Sequence, residues 1–133
     1  MKHRLLLILP LLVLGCSEPV EKPEPSDSTP IAEPAKAVGP DELVNRNGVK
    51  YLKLSDAPFT GPFEAYYENG QLSAKGTHKD GKQDGTWAWY HDNGQLLEKS
   101  NSRNGKRDGP FESYDENGQL LEKGIFKDGT LVE

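Results

Sequence analysis

The sequence predicts an all-β fold: an elongated, single-layer antiparallel meander of stacked β-hairpin repeats, preceded by a disordered proline-rich tether. A pattern that begins "YYENGQLSAK" at Tyr66 returns as "YHDNGQLLEK" at Tyr90 and "YDENGQLLEK" at Tyr114, each time 24 residues later. Asn-Gly and Asp-Gly pairs, which supply the positive φ that hairpin turns require, recur from Asn47 onward. Short runs rich in aromatic residues and leucine separate these pairs, as expected of strands.

Residues 1–15 have the layout of a secretory signal peptide. Lys2 and Arg4 form a basic start, and an apolar run follows from Leu5 to Leu14, interrupted only by Pro10. At about ten residues this run is too short to cross a bilayer as a helix, which needs roughly 20 residues.

The segment "LVLGC" at the end of this run resembles the lipobox of bacterial lipoproteins, with Val13, the small Gly15 and then Cys16. The resemblance implies that a lipid is attached to the Cys16 thiol, that the chain is cut before Cys16, and that the new amino end is acylated. Several acyl chains on one residue would hold the protein stably at a membrane. By analogy with enterobacterial sorting, Ser17 in place of aspartate favours the outer membrane over the inner one in a Gram-negative cell. Cys16 is the only cysteine, which excludes a disulfide within the chain.

Residues 16–40 are predicted to form a disordered tether. Residues 17–40 contain six of the ten prolines and no aromatic residue, so they cannot bury a core. Fully extended, they would reach at most roughly 75 Å. Proline-rich segments also serve as ligands for groove-type domains, but linker composition alone explains this one.

Three units with a 24-residue period are predicted at 61–84, 85–108 and 109–133, and a degenerate hairpin around Asn47-Gly48 precedes them in residues 41–60. Each unit reads as strand, turn, strand, turn, and stacking such hairpins buries rings that a single hairpin would expose. Aligned on their first glycine, the units share an aromatic residue at the third position and a tyrosine at the sixth: Phe63, Trp87 and Phe111, then Tyr66, Tyr90 and Tyr114. Three residues apart on a strand, these two rings lie on opposite faces unless a bulge intervenes.

The strand register depends on the length of the loop at Asn93-Gly94. A two-residue loop would place Tyr90 opposite Leu97, whereas a three-residue loop with a bulge at Gly94 would place it opposite Leu96. The second register is preferred because the tyrosine and this leucine recur in all three units, and aromatic–aliphatic pairs across strands stabilise sheets.

The recurrent pattern G-x-[FW]-x-x-Y-x-x-N-G-x-L, followed by [KR]-[DN]-G, resembles the variant form of the MORN repeat found in bacteria. The resemblance covers roughly residues 43–133 and implies an elongated, twisted single-layer sheet of successive hairpins. Bacterial proteins of this type are often labelled as antitoxins. That role fits an exported, lipid-anchored chain poorly, because such a chain cannot meet a cytoplasmic toxin.

No catalytic, metal-binding or cofactor-binding constellation is recognised, and an enzyme is not expected. His78 and His91 occupy repeat positions that other residue types fill in the other units, so we expect both to be solvent-exposed strand residues. The aspartates lie at turns without the alternating spacing of a calcium loop. The formal net charge is −5, and no basic stripe is present, which argues against nucleic acid as a ligand.

The remaining candidate site is the aromatic surface. Its rings either form the thin core of the sheet or leave one stripe open to a partner, and the second unit, with Trp87, Trp89 and Tyr90, is the expected centre. The candidate binding residues are Trp87, Trp89, Tyr90, Tyr66, Tyr114, Phe63 and Phe111. The preferred hypothesis is a protein-interaction or scaffolding module in the cell envelope, anchored to the membrane through Cys16. The alternatives are a module that binds carbohydrate or peptidoglycan, and an antitoxin or immunity-type protein that acts in the envelope.

Overall fold

The computed structural model describes residues 35–133. The predicted signal peptide, the predicted lipidation site at Cys16 and most of the predicted tether therefore lie outside the described residues. Within residues 35–133, no helix is long and apolar enough to cross a membrane.

The described chain consists almost entirely of antiparallel strands, which confirms the predicted all-β meander. After a single 3-10 turn at Pro40–Glu42, the strands are β1 (Leu43–Arg46), β2 (Val49–Leu52), β3 (Gly61–Tyr66), β4 (Leu72–Lys79), β5 (Lys82–Gln83), β6 (Gly85–Tyr90), β7 (Leu96–Arg103), β8 (Lys106–Tyr114), β9 (Leu120–Lys127) and β10 (Thr130–Leu131). β1 and β2 form a two-stranded hairpin. The other eight form one sheet in the order β10-β9-β8-β7-β6-β4-β3, in which the short β5 also pairs with β4.

Two kinds of turn alternate along the sheet and define its two rims. At the first kind, both central residues have positive φ, as at Asp80 (50°) and Gly81 (77°), which is the geometry of a two-residue type I′ hairpin. At the second kind, only the glycine has positive φ. There the Gly94 amide donates to the His91 carbonyl at 3.0 Å, and the His91 amide donates to the Gln95 carbonyl at 2.8 Å. Asn-Gly occurs in both kinds of turn, at Asn104-Gly105 and at Asn93-Gly94, so this dipeptide predicts a turn but does not by itself specify the type.

The second kind of turn is the three-residue loop with a glycine bulge. It pairs Tyr90 with Leu96, and the other two units repeat the same register. The preferred register is confirmed. One further residue, Leu97, bulges out of β7 between the pairs Tyr90–Leu96 and Trp89–Glu98.

The strands present two different faces. We call the face that carries Phe63, Trp87 and Phe111 the ring face, and the face that carries Tyr66, Tyr90 and Tyr114 the tyrosine face. In each repeat, the bulge between these two positions lies on the partner strand, β4, β7 or β9, so the alternation from the third-position ring to the tyrosine is unbroken. Rings occupy both faces, as the spacing predicts.

The core of the sheet lies on the ring face, where each large ring pairs with a small residue. Phe63 pairs with Gly76, Trp87 with Ser100, and Phe111 with Gly124. Trp87 is 2% exposed and Phe111 is 5% exposed. A one-layer sheet can bury rings in this way because the missing or short side chain opposite leaves room for each ring to lie flat.

His78 belongs to this core, and the expectation that it is solvent-exposed is wrong. It is 3% exposed, and its ring lies 5.8 Å from Phe59, 5.5 Å from Phe63 and 5.1 Å from Trp87, measured between centroids. Burial lowers the pKa of His78, and the positive charge of Lys50 lowers it further.

The N-terminal hairpin joins the sheet at the turn that follows His78. The Lys50 amide donates to the Gly81 carbonyl, the Gly81 amide donates to the Phe59 carbonyl, and the Phe59 amide donates to the Lys50 carbonyl, at 2.7 to 2.8 Å. Val38 lies beside β3, where its amide donates to the Pro62 carbonyl at 3.0 Å. Val38, which lies within the predicted tether of residues 16–40, therefore pairs with the sheet.

Candidate functional site: the tyrosine face

The ring face does not offer the open aromatic surface that the sequence suggested around Trp87. The Trp87 ring packs 5.5 Å from Phe63 and 5.8 Å from Trp89, and its Nε1 donates to the Thr77 carbonyl at 3.1 Å. With its ring covered and its only polar atom satisfied, Trp87 is a core residue. Phe111 is likewise buried, against Phe126 at 4.9 Å. Phe63 and Trp89 are half-buried.

The tyrosine face is more open. Tyr66 is 59% exposed, and Tyr90 and Tyr114 are half-buried. Since β3, β6 and β8 are each two strands apart in the sheet, the three rings form a row with a spacing of roughly 9.6 Å. Of the seven predicted binding residues, these three are the ones that the structure places together on an accessible side of the sheet.

Two of these tyrosines are fixed by a glutamate on their own strand. The Tyr66 hydroxyl donates to Glu64 Oε2 at 2.5 Å, and the Tyr114 hydroxyl donates to Glu112 Oε2 at 2.6 Å. This hydrogen bond is the main reason that the pKa of each tyrosine is raised, since ionisation would break the bond. Desolvation and the negative charge of the carboxylate act in the same direction.

A row of charged side chains crosses the tyrosine face from strand to strand. Successive cross-strand partners in β3, β4, β6, β7, β8 and β9 are Glu64, Lys75, Ala88, Lys99, Glu112 and Lys123. Opposite charges thus stand opposite each other wherever an acid is present, which favours the pairing. Ala88 is the one uncharged member of the row.

Side chains of the bulged turns connect each unit to the next. Asn69 Nδ2 donates to the Asp92 carbonyl at 2.9 Å, and Asn93 Nδ2 donates to the Glu116 carbonyl at 2.8 Å. Beside them, the Tyr67 hydroxyl reaches the Tyr90 carbonyl at 2.6 Å. We interpreted these asparagines from the sequence only as turn residues. Their recurrence at intervals of 24 residues is the sequence signal for a second role, which is to donate a hydrogen bond to the next unit.

His91 occupies the same unit position as Tyr67, and its Nε2 lies 3.0 Å from the Tyr114 carbonyl, to which it donates. Asp115 is the third residue at this position. It instead accepts two hydrogen bonds of 2.9 Å within its own turn, from the amides of Asn117 and Gln119. His91 is therefore half-buried and bonded to its neighbouring unit, not a freely exposed strand residue.

Comparison with known families agrees with this architecture. Residues 59–80, 83–104 and 107–128 each match the family described as the MORN repeat variant. Residues 59–128 are three MORN repeats. The matched segments start 24 residues apart, and each contains one bulged turn and ends at a type I′ turn. Neither a curated protein nor a solved structure matches the chain.

MORN repeats are generally modules that bind proteins or membranes. This general property agrees with a site that is a surface and not a cleft. Among residues 35–133, no three histidine, cysteine, aspartate or glutamate side chains come together in a way that would hold a metal ion.

Proposed function

We propose that this chain is a lipid-anchored protein of the cell envelope whose MORN repeats bind a partner protein through the tyrosine face. The observation that carries the proposal is the difference between the two faces. On the ring face the central aromatic side chains are buried in the core. On the tyrosine face Tyr66 is 59% exposed and lies beside a row of charged side chains.

The composition of the tyrosine face suits a protein partner. Tyrosine combines a large apolar ring with a polar tip, and it is enriched at protein interfaces for that reason. The hydrogen bonds to Glu64 and Glu112 hold two of the rings in place before a partner arrives, which lowers the entropy cost of binding. The alternating charges would set the orientation of the partner.

The lipid anchor is the second part of the proposal. The signal-like segment ends in "LVLGC", and the proline-rich residues that follow are suited to hold the repeats away from the membrane surface. We propose that lipidated Cys16 is the attachment point, in the outer membrane where the cell has one. Mass spectrometry of the N-terminal peptide of the mature protein should find diacylglyceryl and acyl groups on Cys16, and Cys16→Ala should release the protein from the membrane fraction.

Site-specific photo-crosslinking tests the binding face. A photoreactive amino acid is placed at Lys123, on the tyrosine face, or at its neighbour Glu122, which points to the other side of the same strand. Both positions are exposed. We expect a discrete protein adduct in living cells from Lys123 and not from Glu122.

The same experiment identifies the alternatives. Adducts of equal yield from both positions, or from neither, would contradict the proposed face. Recovery of glycan without protein would instead support the carbohydrate-binding alternative. An adduct with a toxin encountered in the envelope would support the immunity-type alternative.

A further inference from the structure

The first and third repeats each contain a complete carboxylate–hydroxyl pair on the tyrosine face. In the first, Glu64 accepts from Tyr66, and in the third, Glu112 accepts from Tyr114. Each of these glutamates also has a lysine as its cross-strand partner, Lys75 for Glu64 and Lys123 for Glu112. In both repeats, therefore, a carboxylate accepts a hydrogen bond from a tyrosine hydroxyl and faces a lysine on the neighbouring strand.

The second repeat has the tyrosine and the lysine partners of this arrangement but lacks the carboxylate. Ala88 replaces the glutamate, and it has a lysine as its partner on both sides, Lys75 in β4 and Lys99 in β7. Among residues 35–133, the Tyr90 hydroxyl makes no hydrogen bond, and neither lysine forms an ion pair. Lys75 Nζ lies 5.9 Å from the centre of the Tyr90 ring, so its charge is already directed to this place.

We infer that the middle of the tyrosine face binds a glutamate or aspartate carboxylate from an acidic segment of the partner protein. The carboxylate lies above Ala88, between the ammonium groups of Lys75 and Lys99, and accepts a hydrogen bond from the Tyr90 hydroxyl. It takes the place that Glu64 and Glu112 fill in the flanking repeats. The inference rests on the proposed function and adds to it the chemistry of the partner.

The surroundings provide room for the segment that carries the carboxylate. The methyl group of Ala88 is 7% exposed, so the acid lies at the level of the lysine ammonium groups and not at the backbone. A shallow depression of about 290 Å³ adjoins this place, and its lining includes Thr86, Lys99 and Asn101. The Thr86 hydroxyl donates to Asn101 Oδ1 at 2.9 Å, which leaves the Thr86 oxygen as an acceptor and Asn101 Nδ2 as a donor for an extended backbone.

The charge pattern favours a single acidic side chain over an anionic membrane. Lys75 and Lys99 attract an anion at this one place, but Glu64 and Glu112 lie on either side of it in the same row. A flat layer of anionic headgroups would meet both glutamates, and their repulsion would offset the attraction of the lysines. An acidic side chain of a protein reaches the lysines alone.

The test uses the full chain, isotope-labelled, in micelles of a non-ionic detergent. Hexaglutamate is the probe, and hexaglutamine is the uncharged control peptide. We expect hexaglutamate to shift the NMR signals of Ala88, Tyr90 and Lys99, and hexaglutamine to leave them unchanged. Equal shifts with both peptides, or hexaglutamate shifts that avoid these residues, would overturn the inference.

The decisive variant is Ala88→Glu, which supplies the missing carboxylate from the chain itself. Glutamate is already accommodated at this position in two repeats, so the fold should be retained. We expect hexaglutamate to bind roughly tenfold more weakly or worse, the loss that one charge-assisted hydrogen bond produces. Thr130→Glu, which makes the same charge change at an exposed position on β10, should bind as the wild type does. Equal binding by Ala88→Glu and the wild type would refute the site.

Two further comparisons complete the test. Tyr90→Phe should weaken hexaglutamate binding, whereas Tyr51→Phe, which removes a hydroxyl from β2 outside the tyrosine face, should not. Displacement of hexaglutamate by an equal concentration of inorganic phosphate would show a general anion site and overturn the assignment to an acidic protein. Self-association of the wild type that Ala88→Glu abolishes would overturn it in favour of a second copy of this chain.

Failure of the inference is distinguishable from failure of the proposed function. If the crosslink from Lys123 persists in the Ala88→Glu variant with unchanged yield, the tyrosine face binds a protein but not through this carboxylate. If Lys123 gives no adduct, the proposed face itself is wrong, whatever the peptide does.

Discussion

The indole ring of Trp87 lies directly on the backbone of Gly76, and a Cβ atom on Gly76 would overlap the ring. Gly76 also pairs with Phe63, so this one position without a side chain accommodates rings from two repeats. Its φ is not in the left-handed region, so the demand for glycine here comes from packing and not from backbone conformation.

Gly76→Ala should therefore destabilise the sheet. We expect the free energy of unfolding to fall by about 1–3 kcal/mol, the usual cost of forcing a methyl group into a packed core. Urea unfolding of the full chain, followed by tryptophan fluorescence, measures this change. Gly39→Ala is the matched control, because a Cβ atom there would make an ordinary 3.8 Å contact with the Glu64 carbonyl. Equal effects of the two substitutions would show that the ring does not press on Gly76.

The stability of the chain should depend on pH through His78. Burial and Lys50 lower its pKa in the folded chain below the ordinary value of 6.5, so the unfolded chain binds the proton more tightly. The contribution of neutral His78 is fully present above pH 6.5 and is lost as the pH falls below that value toward the lowered pKa.

Urea midpoints at successive pH values from neutral to mildly acidic should reveal this loss. His78→Phe should remove this part of the pH dependence while keeping the packing, because Phe126 fills the same position in the third repeat. His91→Gln serves as the control and should leave the loss in place. If the urea midpoint of the wild type changed with pH in the same way as that of His78→Phe, the buried, neutral state of His78 would be contradicted.

Asn93→Ala should cost more stability than Asn117→Ala. Asn93 makes two side-chain hydrogen bonds, to the Glu116 carbonyl and from the Gln95 amide, whereas Asn117 at the same position of the third repeat makes none within residues 35–133. We expect a difference of about 1–2 kcal/mol in the free energy of unfolding, since each neutral hydrogen bond contributes about 0.5–1.5 kcal/mol. Both variants lose the same turn preference, so the difference isolates the bonds. Equal losses would mean that these bonds do not connect the units energetically.

The hydrogen bond between Tyr66 and Glu64 should be visible in the titration of the phenol. Tyr66 should ionise above its ordinary pKa of 10.0, and Glu64→Gln should bring its pKa back toward that value because the hydrogen bond to a carboxylate, and with it the nearby negative charge, is removed. NMR signals of the labelled tyrosine rings follow each phenol separately as the pH is raised. Glu68→Gln removes a carboxylate from the adjoining turn and should leave the Tyr66 titration where it was. Identical behaviour of the two variants would argue against the bond.

Local chemistry explains which parts of the fold could be predicted. The turn at Asp80-Gly81 has positive φ at both residues, a conformation that Asp-Gly favours in two-residue hairpin loops. The pairing of Tyr90 with Leu96 followed from the loop length and from recurrence in the three units. Turn conformation and strand register are both properties of a single hairpin, so they depend on the residues of that hairpin alone.

The burial of individual rings could not be predicted in the same way. His78 and Trp87 are covered by residues of neighbouring segments, including Phe59, which lies between β2 and β3. That coverage depends on how one hairpin meets the next, which the period alone does not specify. The replacement of glutamate by Ala88 can be read from the aligned repeats, but its position between Lys75 and Lys99 depends on how strands of different hairpins pair, so it could not be predicted.

The hydrogen bonds that side chains of the bulged turns make to the neighbouring unit all point in one direction along the chain. Asn69 and Tyr67 donate forward to the second repeat, Asn93 and His91 donate forward to the third, and Asp115 has only oxygen atoms with which to accept. The three repeats are therefore not interchangeable. Gene duplication could lengthen this sheet by copying the first or second unit in place, since each copy would keep a donor for its successor. A copy of the third unit inserted upstream would interrupt the series at Asp115.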